Sequence, residues 1–159
     1  GGKYSLFEAG TRVPFMVYWK GTVKPSVSDA VYSQVDLLSS LAKLVNSPIR
    51  GRDSMPLLAT LLGKTSKGRS ELMLEATTRT ALRQGDYVFI PPYKGPKVQN
   101  QVNIELGNDT VYQLYNLAQD PGQQDNLAPK NPKLLAKFKK RYEALRGEPL
   151  RAIEALELK

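Results

Sequence analysis

Residues 13–19 read VPFMVYW, an almost unbroken run of apolar and β-favouring side chains. Such a run is typical of a strand buried on both faces, as in a parallel sheet, rather than of an alternating, half-exposed strand. Lys20, Gly21 and Pro25 end the run. The first third of the chain contains no second strand pattern that pairs with it. We therefore predict that residues 13–19 belong to a larger α/β sheet whose other strands lie outside this sequence.

Charged residues and glycines stand directly before this run. Lys3, Glu8 and Arg12 lie within the segment GGKYSLFEAGTR. This placement suits either an ordinary surface loop or the edge of an anion-binding site, and the residues alone leave both open. Glu8 and Arg12, four positions apart, can form a local ion pair that shapes the loop. Gly10 is expected to take a positive φ angle between them.

Two helical patterns and a polar segment follow the run. Leucines at a spacing near 3.6 residues predict an amphipathic helix over residues 33–45, with Ser33 and Asp36 forming a capping box at its start. A shorter pattern over residues 53–62 ends at Gly63, a suitable helix stop. The polar segment GKTSKGRS, residues 63–70, is the predicted boundary. Residues 1–66 are then the end of an α/β core and residues 67–159 a second, smaller subdomain.

The second subdomain has the pattern of an antiparallel sheet with a helix at its end. Gln84-Gly85 predicts a tight hairpin turn. Asn131 and Pro132 mark the start of a helix, because proline is favoured at the first helical position. The predicted strands are residues 71–76, 78–83, 87–90, a weak 102–106 and 111–117, and the predicted helices are residues 131–146 and 149–158.

Composition narrows the possible chemistry. The 159-residue chain contains no His and no Cys. This excludes a Cys nucleophile, a disulfide, a His-based catalytic triad and thiolate or imidazole metal ligands within the chain itself. No apolar run approaches the length needed to cross a bilayer, and no signal-peptide pattern is visible. We expect the start at Gly1 to reflect trimming or cutting of a longer parent.

Positive charge is concentrated near the end of the chain. The formal net charge is +8, and residues 130–146 read KNPKLLAKFKKRYEALR. Their apolar residues recur at helical spacing, so the lysines fall mostly on the opposite, solvated face. A basic balance also suits anionic partners. We favour a solvated helix face and keep a binding surface for anionic polymers as the alternative.

Four stretches of the chain, in the right order, resemble the sulfatase family, the formylglycine-dependent sulfate ester hydrolases of the alkaline phosphatase superfamily. The family segment has Lys, then Tyr/Phe-Glu-Gly-Gly-x-Arg-x-Pro, an apolar strand and Trp-Pro-Gly. Here it is matched by Lys3, by FEAGTRVP at residues 7–14 and by WKG at residues 19–21. Ala9 and Lys20 depart from the family's Gly and Pro without removing a charged group. The other similar stretches are residues 28–44 (SDAVYSQVDLLSSLAKL), 81–90 (ALRQGDYVFI) and 111–128 (VYQLYNLAQDPGQQDNLA).

The resemblance implies both a fold and a site. The fold is the end of a large α/β sulfatase core followed by a small antiparallel sheet packed with a helix. Lys3 matches the family's sulfate-contacting lysine, and Glu8, Gly10 and Arg12 are expected to support its loop. The family's nucleophile and its calcium ligands lie upstream, so we expect no metal ligand and no cofactor in this fragment. Calcium and a formylglycine nucleophile are implied for a missing N-terminal portion, and the fragment alone is predicted to be inactive.

The expected partners follow from the same resemblance. They are the missing N-terminal catalytic portion and a sulfated small molecule or glycan, with no nucleic acid and no membrane, in an exported parent (periplasmic, extracellular or lysosomal). Tyr4, Tyr18 and Trp19 are candidates for a sugar or aryl subsite, although packing beside the strand is the favoured reading. The alternatives are a phosphonate or phosphate ester hydrolase of the same superfamily, a basic module that binds anionic glycans, and a catalytically inactive homologue.

Overall fold

The computed structural model describes residues 2–150, which form two compact units. One unit contains residues 2–13 and 73–150, and the other contains residues 14–72. Within the described residues, no helix is long and apolar enough to cross a membrane. The elements in chain order are α1 (Glu8–Thr11), α2 (Asp36–Leu44), α3 (Leu58–Leu61), β1 (Glu71–Ala76), β2 (Arg79–Gln84), β3 (Tyr87–Ile90), β4 (Val98–Gln99), β5 (Ile104–Glu105), β6 (Gln113–Asn116) and α4 (Pro132–Arg146).

A four-stranded sheet with strand order β1-β2-β3-β6 forms the centre of the first unit. Strands β2, β3 and β6 pair antiparallel, with Leu82 opposite Phe89 and Phe89 opposite Leu114. Gly85 takes a φ of +57° in the turn between β2 and β3, which explains why glycine stands in the predicted hairpin. A smaller sheet pairs β4 with β5. The predicted antiparallel sheet is confirmed.

Helix α4 covers one face of this sheet, as its sequence pattern predicts. Phe138 and Tyr142 are buried against Leu82, Phe89 and Leu114. The helix begins at Pro132 and ends where Gly147 takes a φ of +74° and donates its N–H to the Glu143 carbonyl. The structure also bears out the solvated lysine face, because the side chains of Lys133, Lys137 and Lys140 are exposed.

The tip of the Tyr142 side chain ends in a group of hydroxyls. Its hydroxyl lies 2.6 Å from that of Thr80 and 3.3 Å from that of Tyr93. Burial raises the pKa of Tyr142 to about 12. The hydroxyl therefore stays protonated at neutral pH and fixes α4 to β2 by a neutral hydrogen bond.

Helix α2 of the second unit confirms the predicted helix, but the residues that it buries are mainly polar and are not its leucines. Asp36, Ser39 and Ser40 are buried, whereas Leu38 is 51% exposed and Leu41 47% exposed. The buried polar residues are satisfied by a neighbouring loop, because Ser39 and Ser40 bond to the backbone or side chains of residues 51–55. The other two leucines of the helix, Leu37 and Leu44, are half-buried.

Asp36 is the centre of this polar contact. Its carboxylate accepts bonds from Arg69 Nε at 2.7 Å and from the N–H groups of Met55 at 2.8 Å and Ser33 at 3.2 Å. Burial alone raises the pKa of Asp36, but these hydrogen bonds outweigh it and hold the pKa below its usual value. The predicted capping box is therefore present in one half only, since the Asp36 N–H bonds to the Ser33 carbonyl and not to its hydroxyl.

The predicted strand over residues 13–19 does not form within the described chain, and its place in a larger sheet stays a prediction. These residues form no strand, and Met16 and Tyr18 are 91% and 88% exposed. The physical reason is that a strand is stabilised by backbone hydrogen bonds to a neighbour, which no described segment supplies to this run. The second predicted helix is also shorter than expected, since α3 spans only Leu58–Leu61 before the stop at Gly63, where φ is +67°.

Two other predictions concern the last helix and the domain boundary. The last predicted helical piece, residues 149–158, lies outside the described residues after Leu150. The domain division between residues 66 and 67 stays a prediction. The compact units differ from it in one respect, because residues 2–13 group with the sheet and not with the segment that follows them.

Candidate functional site

Lys3 lies at the tip of a tight turn in the sheet-containing unit. The Ser5 N–H donates to the Gly2 carbonyl at 2.9 Å, which closes a β-turn with Lys3 and Tyr4 as its two central residues. Tyr4 has a φ of +76°, the left-handed region that the third residue of a type II turn requires and that glycine usually fills. The turn therefore presents Lys3 in one backbone geometry.

The Lys3 ammonium is exposed and available to an anion. Its Nζ lies 5.0 Å from the centroid of the Tyr4 ring, a cation–π contact. It forms no ion pair with any carboxylate in the part of the chain that the structure describes. A lysine that is not already paired with a carboxylate can form an ion pair with an anionic ligand that approaches the turn.

The residues that follow the turn are packed into the sheet unit. Ser5 and Leu6 are buried, and the Leu6 N–H donates to the Leu106 carbonyl at 3.2 Å. Phe7 makes an edge-on contact with Tyr115, with ring centroids 5.9 Å apart. Backbone and side chains together hold the exposed turn against a rigid support.

Glu8 connects helix α1 to the sheet through an ion pair. Its carboxylate lies 3.2 Å from Arg83 on β2 and 3.6 Å from Arg12. The Glu8 side chain is only 13% exposed, whereas that of Arg12 is 71% exposed. The predicted pair with Arg12 is present, but Arg83 is the nearer and more buried partner. The Glu8 N–H also donates to the side-chain oxygen of Gln123.

Gly10 is required for a different reason from the one predicted. It does not have a positive φ; it lies within α1 and is helical. A Cβ placed on Gly10 would lie far inside van der Waals contact with the carbonyl oxygens of Ser5 and Gly2. Glycine therefore allows α1 to approach the Lys3 turn closely, and the expected positive φ is wrong.

The candidate aromatic residues do not pack as favoured. Tyr18 is 88% exposed, Trp19 is 43% exposed and Tyr4 is 51% exposed. Tyr4 lies under the Lys3 ammonium in the turn, while Tyr18 and Trp19 belong to the other compact unit. Of the residues predicted for the site, Lys3, Tyr4, Glu8, Gly10 and Arg12 lie in the same compact unit.

Sequence reasoning missed the sheet residues that hold this turn. Arg79 at the start of β2 donates to the Tyr4 carbonyl at 2.7 Å and to the Leu106 carbonyl at 3.2 Å, and it also bonds to the Asn108 side chain. These partners are separated from Tyr4 by 75 or more positions along the chain. No local motif signals such contacts, and only the fold brings them together.

Comparisons with known proteins find relatives of the Lys3 segment and of most of the chain. A protein-family model described as Sulfatase matches residues 1–47. An N-acetylgalactosamine-6-O-sulfatase from Bacteroides thetaiotaomicron is 37% identical over 92% of this chain, and human arylsulfatase A is 28% identical over 79% of it. The chain spans only 29% and 28% of the length of these two relatives.

Solved structures agree with the sequence relatives. A structure from work on glycosaminoglycan metabolism by Bacteroides thetaiotaomicron superposes with a TM-score of 0.86 and 36% identity, over 93% of this chain and 32% of that one. A sulfatase from Pseudoalteromonas sp. superposes with a TM-score of 0.72 and 21% identity over 92% of this chain, which bears on the fold alone.

The chain therefore belongs to the sulfatase family and corresponds to the C-terminal part of its longer members. The α/β fold class expected from the resemblance is confirmed. Among the relatives named above, the N-acetylgalactosamine-6-O-sulfatase of Bacteroides thetaiotaomicron has the highest sequence identity to this chain.

Proposed function

We propose that this chain is the C-terminal part of a sulfatase that hydrolyses sulfate esters, with Lys3 as the residue that contacts the sulfate group. The observation that carries the proposal is the exposed ammonium of Lys3 at the tip of a fixed turn, without a carboxylate partner among residues 2–150. It lies in the segment matched by the sulfatase family model. The matching relative is named as an N-acetylgalactosamine-6-O-sulfatase.

The chemistry of the turn suits this role. A sulfate ester carries negative charge on oxygens that must be held while a nucleophile attacks sulfur. A positive group fixed before the reaction stabilises that charge without reorganisation during it. The left-handed Tyr4 backbone and the packing of Ser5 and Leu6 supply the fixed position.

The nucleophile and the metal belong to the rest of the polypeptide in this proposal. The chain contains no Cys and no Ser-x-Pro-x-Arg motif from which formylglycine can form. The described residues also include no group of three or more acidic residues that could hold a metal ion, so they do not fit a calcium site. Formylglycine and calcium are therefore assigned to the upstream portion, and no step is derived through them. We expect residues 1–159 alone to be inactive.

Exposed apolar residues of the second unit support the presence of that portion. Phe15, Met16, Leu38 and Leu41 are between 47% and 91% exposed. Apolar side chains in this number are costly to leave in water and usually mark a surface that another chain segment covers. We propose that the upstream part of the same sulfatase covers them.

A sulfated glycan is the substrate class that we propose. The support is that the matching relative is named for a sulfated amino sugar, and a matching structure comes from work on glycosaminoglycan metabolism. We further propose that the parent acts outside the cytoplasm, since such polymers are extracellular. A phosphate or phosphonate ester is the competing substrate class.

The test compares the longer polypeptide that carries this chain with its Lys3→Ala variant. Loss of one fixed charge-stabilising group lowers kcat by about 100-fold or more in comparable sites. We expect this loss with N-acetylgalactosamine 6-sulfate, measured as sulfate release. Lys133→Ala, which removes an exposed lysine of α4, is the matched control and should leave sulfate release unchanged.

Three results would each contradict a part of the proposal. Full activity of the Lys3→Ala variant would remove Lys3 from the reaction. Faster hydrolysis of the phosphate ester than of the sulfate ester by the unmodified polypeptide would favour the competing substrate class. Sulfate release by residues 1–159 alone would overturn the assignment of the nucleophile to the upstream portion.

A further inference from the structure

The sheet unit contains an arginine that acts on the Lys3 turn from a distance in sequence. We propose that Arg79 is a positioning residue, which fixes the backbone of the turn and adds positive charge beneath it so that Lys3 meets the sulfate group in a productive position. This inference rests on the proposed role of Lys3. Arg79 itself is not proposed to contact the substrate.

The turn needs such a fixing group because its backbone is strained. Tyr4 has a φ of +76°, which costs free energy for any residue except glycine. A strained residue keeps its conformation only where surrounding contacts hold it. The Tyr4 side chain is half-exposed, and within the described part of the chain its ring contact is with the exposed Lys3. The support must therefore come through the Tyr4 backbone.

Arg79 provides that support through the Tyr4 carbonyl. One guanidinium nitrogen donates to the Tyr4 carbonyl at 2.7 Å, and the other donates to the Leu106 carbonyl and to the Asn108 side chain. The planar guanidinium thus joins the turn to the segment after β5 in a fixed geometry. Leu106 also accepts the Leu6 N–H, so the same segment holds the turn on both sides of Ser5.

Asn108 is itself held, which makes the support rigid. Its side chain is buried, and its amide nitrogen donates to the Pro96 carbonyl at 2.7 Å. Gly95, with a φ of +138°, leaves room beside this amide that a Cβ would narrow to 3.0 Å. Because Asn108 is held in this way, it also holds the guanidinium of Arg79 in one orientation.

The charge of Arg79 is also uncompensated. All three of its acceptors are neutral, and it pairs with no carboxylate among residues 2–150. Burial lowers the pKa of Arg79, yet a guanidinium remains protonated under all ordinary conditions. The positive charge of Arg79 beneath the turn favours an anion beside Lys3.

A double-mutant cycle in the longer polypeptide tests the proposal. If Arg79 acts through Lys3, Arg79→Ala lowers kcat/KM by about 10- to 100-fold, the effect of misplacing a catalytic group by about 1 Å. The same change in a Lys3→Ala background then has no further effect, because the positioned group is already absent. Arg50→Ala removes an exposed arginine and is the matched control, with kcat/KM expected to stay unchanged.

Arg79→Lys separates the two contributions and protects the test against loss of folding. Lysine keeps the charge but cannot bond to the same acceptors in one plane. We expect Arg79→Lys to keep the thermal unfolding midpoint closer to that of the unmodified protein and to lose part of the activity, again only when Lys3 is present. Inhibition by inorganic sulfate should weaken in parallel in both Arg79 variants.

The outcomes distinguish the inference from the proposed function. Additive losses from the Lys3 and Arg79 changes in a folded protein would overturn the positioning role and leave the role of Lys3 intact. Full activity of Lys3→Ala would overturn both, since no Lys3 function would remain for Arg79 to act on. Unchanged activity in Arg79→Ala or Arg79→Lys would overturn the inference alone.

Discussion

Helices α4 and α2 have similar amphipathic sequences but opposite environments. In α4 the aromatic residues Phe138 and Tyr142 are buried on the sheet and the lysines face solvent. In α2 the polar residues Asp36, Ser39 and Ser40 are buried, and two of the four leucines, Leu38 and Leu41, are exposed. The first unit is thus stabilised by an apolar core, and the contacts around α2 in the second are mainly polar. An amphipathic pattern shows that a helix has two faces, but not which one the described chain buries.

The largest expected effect is on the polar contact of the second unit. Asp36→Ala leaves the Arg69 guanidinium, only 12% exposed, without its carboxylate, and such a loss costs about 3–5 kcal/mol of unfolding free energy. Trp19, the single tryptophan of the chain, lies in this unit and reports its unfolding by fluorescence.

Two further variants sharpen this result. Asp29→Ala removes an exposed aspartate of the same unit and should leave the transition unchanged. The double variant Asp36→Leu with Arg69→Met replaces the pair by apolar groups and should be more stable than Asp36→Ala alone. A small effect of Asp36→Ala would show that polar contacts do not stabilise this unit.

The second prediction compares two leucines directly. Leu114→Ala removes a fully buried side chain from the sheet core and should cost about 2–5 kcal/mol. Leu41→Ala, on the exposed face of α2, should change the unfolding free energy of the 159-residue chain by about 0.5 kcal/mol or less. Denaturant titration followed by circular dichroism measures both. Equal losses in the two variants would remove the contrast between the units.

The Leu41 variant has a second use in the longer polypeptide. If the upstream portion covers α2, the same substitution becomes a core substitution there and costs about 2–5 kcal/mol. A small effect in both proteins would argue against the proposed covering surface.

The smallest expected effect concerns the Tyr142 hydroxyl. Tyr142→Phe removes the short hydrogen bond to Thr80, together with longer ones to Tyr93 and Arg146, and should cost about 1 kcal/mol at neutral pH. The pKa of Tyr142 is raised to about 12, above the usual value near 10. Its contribution is therefore complete below pH 10 and is lost as the pH rises toward 12.

Tyrosinate absorbance measures this pH dependence. Burial also raises the pKa of Tyr115 to about 12 and that of Tyr32 by a smaller shift, so two tyrosines should ionise near pH 12 in the unmodified chain and one in the Tyr142→Phe variant. Tyr18→Phe, at an 88% exposed position, should leave the late ionisation unchanged. Late ionisation of two tyrosines in Tyr142→Phe would assign the shift to another residue.

The parts of the fold that sequence predicted well are those with local causes. The hairpin turn after Gln84 was predictable because Gly85 adopts a positive φ angle there. The start of α4 at Pro132 and its end at Gly147 were predictable because proline favours the first helical position and glycine the residue after the last turn. The antiparallel strands have β-favouring residues beside such turns. The Lys3 segment was found from its resemblance to sulfatases, and its role in contacting sulfate stays a prediction.

The amino-acid sequence by itself determined the strands of the four-stranded sheet, helix α4 and the sulfatase relationship, because turns, caps and motifs are local. Only the tertiary structure decided which faces are buried, why Gly10 must be glycine and which residues hold the Lys3 turn. The strand predicted at residues 13–19 needs hydrogen-bonding neighbours, and the Arg79 contact joins positions 75 residues apart. Contacts of that kind depend on where the fold places distant segments, which no local pattern encodes.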